Sequence, residues 1–187
     1  MKFISYNFLL IITTITILAI SCSPKDQNTA DSSAMNTSNH GQAGVVDEDS
    51  KANILQIAKS SDDHTTLAAA IEAAGIQNVL VNAGPLTVFA PHNAAFHALP
   101  EGTVEDLLKP ENKQKLAKIL TSHASPANIK EHQLRDGLNV YLATGQYVQV
   151  TEENGEFYIN GAKILGSVEA SNGMIHIIDQ VFLFPEG

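Results

Sequence analysis

The segment Thr87-Val88-Phe89-Ala90-Pro91-His92-Asn93-Ala94-Ala95-Phe96-His97-Ala98-Leu99-Pro100 decides the fold. Leu86 to Ala90 carries no polar alternation, which predicts a short strand buried on both faces. Pro91 ends it. Asn93 is then placed to accept hydrogen bonds from the N–H groups of Ala94, Ala95 and Phe96, as a helix N-cap does. Phe96 and Leu99 follow at a spacing that turns them back into a core. A strand that becomes a capped helix within three residues is an architectural corner.

Upstream of that corner the pattern is helical. Ile54, Ile57 and Ala58 form a short apolar stripe, and Ser61, Asp62 and Asp63 offer caps. Leu67, Ala70, Ile71 and Ala74 recur at helical spacing until Gly75 provides a stop. Thr103 precedes a further capped turn, and Pro110 opens a helix whose buried stripe is Leu116, Ile119 and Leu120. Downstream the period changes to two. Val140–Leu142, Tyr147–Thr151 and Glu156–Ile159 read as strands, the last two joined by Asn154-Gly155, a strong hairpin signal. Asn160-Gly161 and Asn172-Gly173 repeat the turn chemistry, and Met174–Asp179 and Val181–Phe184 close the chain as strands. Helices first and antiparallel strands afterwards predict an α+β domain.

The rest of the 187 residues frames this domain. Lys2 and the apolar run Phe8–Ile20 form a signal-peptide pattern, short for a bilayer-spanning helix, with a single transmembrane anchor as the alternative. Leu18-Ala19-Ile20-Ser21-Cys22 resembles a bacterial lipobox, and Cys22 is the only cysteine of the chain, so it is the expected lipidation site. Several acyl chains would anchor it stably to a membrane. Ser23 is not the Asp of inner-membrane retention, so the expected location is the bacterial cell envelope at the outer membrane, periplasmic or surface-exposed. Ser23 to about Ser50 holds scarcely any large apolar residue and reads as a disordered tether. The expected organisation is a signal peptide over 1–21, acylated Cys22 and tether over 22–50, and a folded domain over 51–187.

Eleven basic and 20 acidic residues give a net charge of −9. That opposes nucleic acid as a partner. No cofactor fingerprint, phosphate loop or nucleophile elbow is present, so neither catalytic residues nor a cofactor are assigned. No pair of the seven histidines has the i,i+4 spacing of a helical metal site, and no metal is assigned.

Thr87-Val88-Phe89-Ala90-Pro91-x-Asn93-x-Ala95-Phe96-x-x-Leu99-Pro100 resembles the first signature of fasciclin (FAS1) domains. Asn172-Gly173-Met174-Ile175-His176-Ile177-Ile178-Asp179-Gln180-Val181 resembles the second. Ile119–His123 lies where that family has a Leu-x-x-His segment, and Ile159-Asn160-Gly161-Ala162 is similar to its hairpin. The resemblance implies a wedge-shaped β-sandwich with flanking helices mainly in the N-terminal half. It also implies a non-enzymatic module for adhesion or interaction. Its motif residues are Thr87, Phe89, Pro91, Asn93, Phe96, His123, Asn160, Gly161, Gly173, His176 and Asp179, all expected to act structurally. His123 is expected to tether a helix end to a strand, His176 to bond backbone or an acid, and Asp179 to form a turn.

Two positions depart from the family pattern: Ser122 stands where Tyr is frequent, and His92 where Thr is. The animal-receptor role attached to that Tyr is therefore not carried over. The expected partners are the membrane, through the lipid anchor, and an envelope or extracellular protein or glycan. The alternative is an envelope lipoprotein that binds a small ligand or cofactor.

Overall fold

A computed structural model describes residues 51–82 and 84–184. The signal segment, Cys22 and the tether lie outside the described residues. Six α-helices occur among the described residues: α1 Ile54–Ser60, α2 Thr65–Ala74, α3 Gln77–Val81, α4 Asn93–His97, α5 Thr103–Leu107 and α6 Lys113–Thr121. The strands are β1 Leu86–Pro91, β2 Ala124–Ser125, β3 Asn139–Tyr141, β4 Tyr147–Glu153, β5 Glu156–Ile159, β6 Ala162–Ala170 and β7 Gly173–Ile178. They form one mixed sheet in the order β2-β1-β7-β6-β5-β4-β3. None of the described helices is long and apolar enough to cross a membrane.

The helical stripes bury as their spacing requires. Leu67, Ala70, Ile71 and Ala74 of α2 are all buried, and Gly75 closes the helix at φ 71°, a left-handed cap that glycine adopts without strain. Ser61–Asp63 do not cap α2 directly. Asp62–His64 instead winds a turn of 3₁₀ helix and α2 begins at Thr65. Likewise Gly102 precedes α5 without a side-chain cap, and Pro110 opens a 3₁₀ turn that leads into α6.

β1 explains the apolar run of the opening segment. Val88 and Ala90 face a helical core with Ile71, Phe96, Leu116 and Leu120. Phe89 faces a second core with Val140, Leu142, Val150, Ile159 and Phe182. β1 pairs in parallel with β7 from Leu86↔Gly173 to Pro91↔Ile178, and this two-stranded wall divides the cores. A wall covered on both sides cannot alternate.

The β4–β5 and β5–β6 connections are the tight hairpins that Asn-Gly predicts. Asn154 and Gly155 have φ of 55° and 82°, and Asn160 and Gly161 of 50° and 83°, the paired left-handed values of a type I′ turn. The nine residues of β6 carry no signal of their own, because a register shift between Ile164 and Gly166 interrupts their alternation. Val181–Phe184, expected as a strand, is irregular backbone: after β7 the chain leaves the ladder and packs Phe182 into the second core.

Candidate functional site

The motif residues gather into two groups around the wall. Thr87, Phe89, His123 and His176 belong to the first. The Thr87 hydroxyl donates to the Ala127 carbonyl at 2.7 Å and accepts from the Ile129 N–H at 2.8 Å. His176 holds the same segment from β7, with Nε2 at 2.8 Å from the Ile129 carbonyl and Nδ1 at 2.8 Å from the Ser167 hydroxyl. A carbonyl can only accept, so Nε2 carries the proton and Nδ1 accepts from Ser167. The ring stacks on Phe89 at 5.7 Å, and burial pushes its pKa down, partly offset by the Ile129 carbonyl. His176 is therefore a backbone-bonded histidine of the core.

His123 follows the C-terminal end of α6. Its Nε2 accepts from the Phe182 N–H at 2.8 Å, so Nδ1 carries the proton and donates to the Ile119 carbonyl at 2.8 Å. The imidazole stacks on Phe182 at 4.6 Å and 11°. Complete burial pushes its pKa down to about 4, against the smaller raising effect of the Ile119 carbonyl. The expected tether exists, but it runs to the irregular segment after β7 and not to a strand. Phe182, which the motif reading passed over, joins the two histidines through Phe89 at 6.0 Å.

Asn93 and Phe96 lie on the helical side. Phe96 is core. Asn93 does not cap its own helix. The N-cap of α4 is His92, whose Nδ1 accepts from the Ala95 N–H at 3.0 Å. Asn93 Oδ1 instead accepts from the Thr66 N–H at 3.0 Å, while Nδ2 donates to the Asp62 carbonyl at 2.8 Å. Asn93 thus satisfies the start of α2 from across the corner, a long-range contact invisible to local spacing. His92 does at the departing position what a Thr cap would do.

The remaining motif residues close turns and contacts. Asp179 accepts from the Lys163 N–H at 2.8 Å and its own N–H bonds the Lys163 carbonyl at 3.2 Å, fixing β6 to the end of β7. Asn160 and Gly161 form a hairpin turn, and Pro91 ends β1. Gly173 admits no side chain, because a Cβ there would stand 1.8 Å from the Leu86 carbonyl oxygen. Asn172, read only as a turn residue, accepts from the Ile54 N–H at 3.0 Å and donates to the Leu80 carbonyl at 2.7 Å.

These groups are consumed inside the scaffold. A groove of about 780 Å³ lies between α5, α6, the β3–β4 turn and residues 182–184. Leu107, Ile119, Phe182 and Phe184 give it apolar walls; Asp106, Lys115 and Lys118 give it charged edges. The Lys109 ammonium holds the Asp106 carboxyl below its ordinary range. His123 lies behind the Phe182 wall and sets its position. Ser122 lines the groove and donates to the Ile119 carbonyl at 2.6 Å. No group of His, Cys, Asp and Glu able to hold a metal ion occurs among the described residues.

The module is one of helices packed on a mixed sheet, with its sequence signatures spent on scaffold bonds. The fasciclin domain family matches residues 62–184, and the chain belongs to it. The Synechocystis protein sll1483 is 46% identical over 138 residues, spanning 73% of this chain and 76% of that protein. The cell surface glycolipoprotein MPB83 of Mycobacterium bovis is 34% identical over 110 residues, 56% of this chain and 46% of that one. A FAS1 domain pair of the insect cell adhesion molecule fasciclin I has the same fold, with a TM-score of 0.64 at 18% identity over 71% of this chain and 51% of that one.

Proposed function

We propose that this chain is a non-catalytic interaction module, lipid-anchored through Cys22 in the bacterial cell envelope, whose fasciclin domain binds an envelope or extracellular protein or glycan. The observation that carries the reading is the use of the motif groups. Both buried motif histidines have both ring nitrogens bonded internally, which leaves neither ring free to exchange a proton with a substrate. Two names among similar proteins, a cell adhesion molecule and a cell surface glycolipoprotein, agree with it. Cys22→Ser tests the anchor: the domain should leave the membrane fraction or accumulate as an uncleaved precursor. Normal processing with unchanged membrane fractionation refutes the anchor. Crosslinking in intact cells, followed by identification of the captured partner, tests the interaction.

The groove favours a second reading, small-ligand binding, since its volume lies in the range of small-molecule sites. A ligand bound only by the folded state raises the thermal midpoint, so a ligand panel followed by melting distinguishes the two.

A further inference from the structure

The outward face of the β3–β4–β5 sheet differs from the rest of this acidic chain. Val140, Val148, Val150 and Ile159 turn inward and are buried. The alternate positions turn outward, and the register places them opposite one another: Tyr141↔Tyr147, Asn139↔Gln149 and Thr151↔Tyr158. Three of the four tyrosines of the chain are on this one face. Tyr141 and Tyr147 are 45% and 70% exposed, with ring centroids 5.0 Å apart. Such exposure is a cost to an ordinary surface and marks a recognition site when the rings are grouped.

The chemistry between the rings is amide and hydroxyl. The side chains of Asn139 and Gln149 have no hydrogen-bond partner among the described residues, and neither do the phenols of Tyr141 and Tyr147. None of these six outward positions is charged in a chain of net charge −9. The charges bordering these positions lie at the hairpin end of the ladder: Glu156 and Lys163 bond each other at 2.6 Å beside Tyr158, and Glu153 pairs with Glu156 across the strands. From Tyr147 to Thr151 the face runs about 13 Å, at the rise of a strand.

We propose that this face binds a neutral oligosaccharide. Exposed tyrosine rings offer apolar faces to the C–H faces of pyranose rings, and their hydroxyls remain wet. The amides supply both donors and acceptors, as sugar hydroxyls require. An uncharged ligand suits these six uncharged positions, whereas an anionic polymer would meet Glu153 and Glu156 at their edge and the negative field of the whole domain. This names a partner class for the interaction reading above and rests on it.

The test titrates the folded domain with cellohexaose, maltohexaose and chitohexaose, using oligogalacturonate as the anionic control. The chain has no tryptophan, so tyrosine emission reports directly on the face. The expected result is saturable binding of at least one neutral hexasaccharide at millimolar concentration, with amide chemical-shift changes confined to 139–151 and 158, and none with oligogalacturonate. Tyr147→Val, which keeps strand preference, should weaken binding about tenfold without moving the thermal midpoint, as should Gln149→Ala. Failure of all three sugars, preference for the anionic control, or shifts in the α5–α6 groove would each overturn the proposal. If Tyr147→Val still captures its partner in intact cells while the sugars fail, the glycan face is refuted and the interaction reading stands.

Discussion

Removal of the His123 ring is the most informative perturbation of this domain, because it separates a scaffold from a site. The ring makes two buried bonds of unequal consequence. The Ile119 carbonyl also accepts from the Ser122 N–H and hydroxyl, so His123→Ala leaves it satisfied. The Phe182 N–H loses its acceptor and is stranded in the core, at about 1–3 kcal/mol. Loss of the stacking on Phe182 adds about 0.5–1.5 kcal/mol. A destabilisation of about 2–4 kcal/mol is expected, a large share of a domain's stability. The proton adds an independent signature. The folded pKa, about 4, lies below the 6.5 of the unfolded chain, so the unfolded state binds the extra proton. Stability is then fully present above pH 6.5 and is lost as the pH falls toward about 4, by about 3 kcal/mol in total. Urea melts of wild type and His123→Gln, taken in steps between those limits, should differ in slope by about 1.4 kcal/mol per pH unit, the linkage of one proton. Gln offers an acceptor to Phe182 but does not titrate. Equal slopes would show that His123 is not the buried neutral ring described above. A fully stable His123→Ala protein that no longer captures its partner would move this residue from scaffold to binding site.

Three further substitutions probe the corner and the wall. Gly173→Ala forces a methyl against the Leu86 carbonyl and must part β1 from β7, so we expect a loss of at least about 3 kcal/mol or no folded protein; a near-normal urea midpoint would refute the close approach. Asn93→Ala should cost about 0.5–2 kcal/mol through the start of α2, whereas His92→Thr, which keeps a capping oxygen, should be nearly neutral. The reverse order in thermal melts would refute the hold of Asn93 on the start of α2 and show that a threonine cannot replace His92 as the cap of α4.

What the sequence determined by itself is what depends on neighbours along the chain. The α2 stripe with its Gly75 stop, the two Asn-Gly hairpins and the unbroken strand at Leu86–Ala90 each follow from a local period or a backbone conformation that few residues adopt. The family signatures, ordered along the chain, placed these elements in one α+β module. Tertiary structure decided the rest, because a side chain's bonding partner is set by distance in space. Asn93 and His92 are adjacent and both able to cap, yet the packing of α2 against the corner gives the first to Thr66 and leaves α4 to the second. β6 alternates too poorly to be read alone and exists as a strand because β5 and β7 supply its hydrogen bonds on either side. His123 carries no local mark of what its ring holds; only the return of Phe182, 59 residues later, fixes its tautomer, buries it and pushes its pKa down.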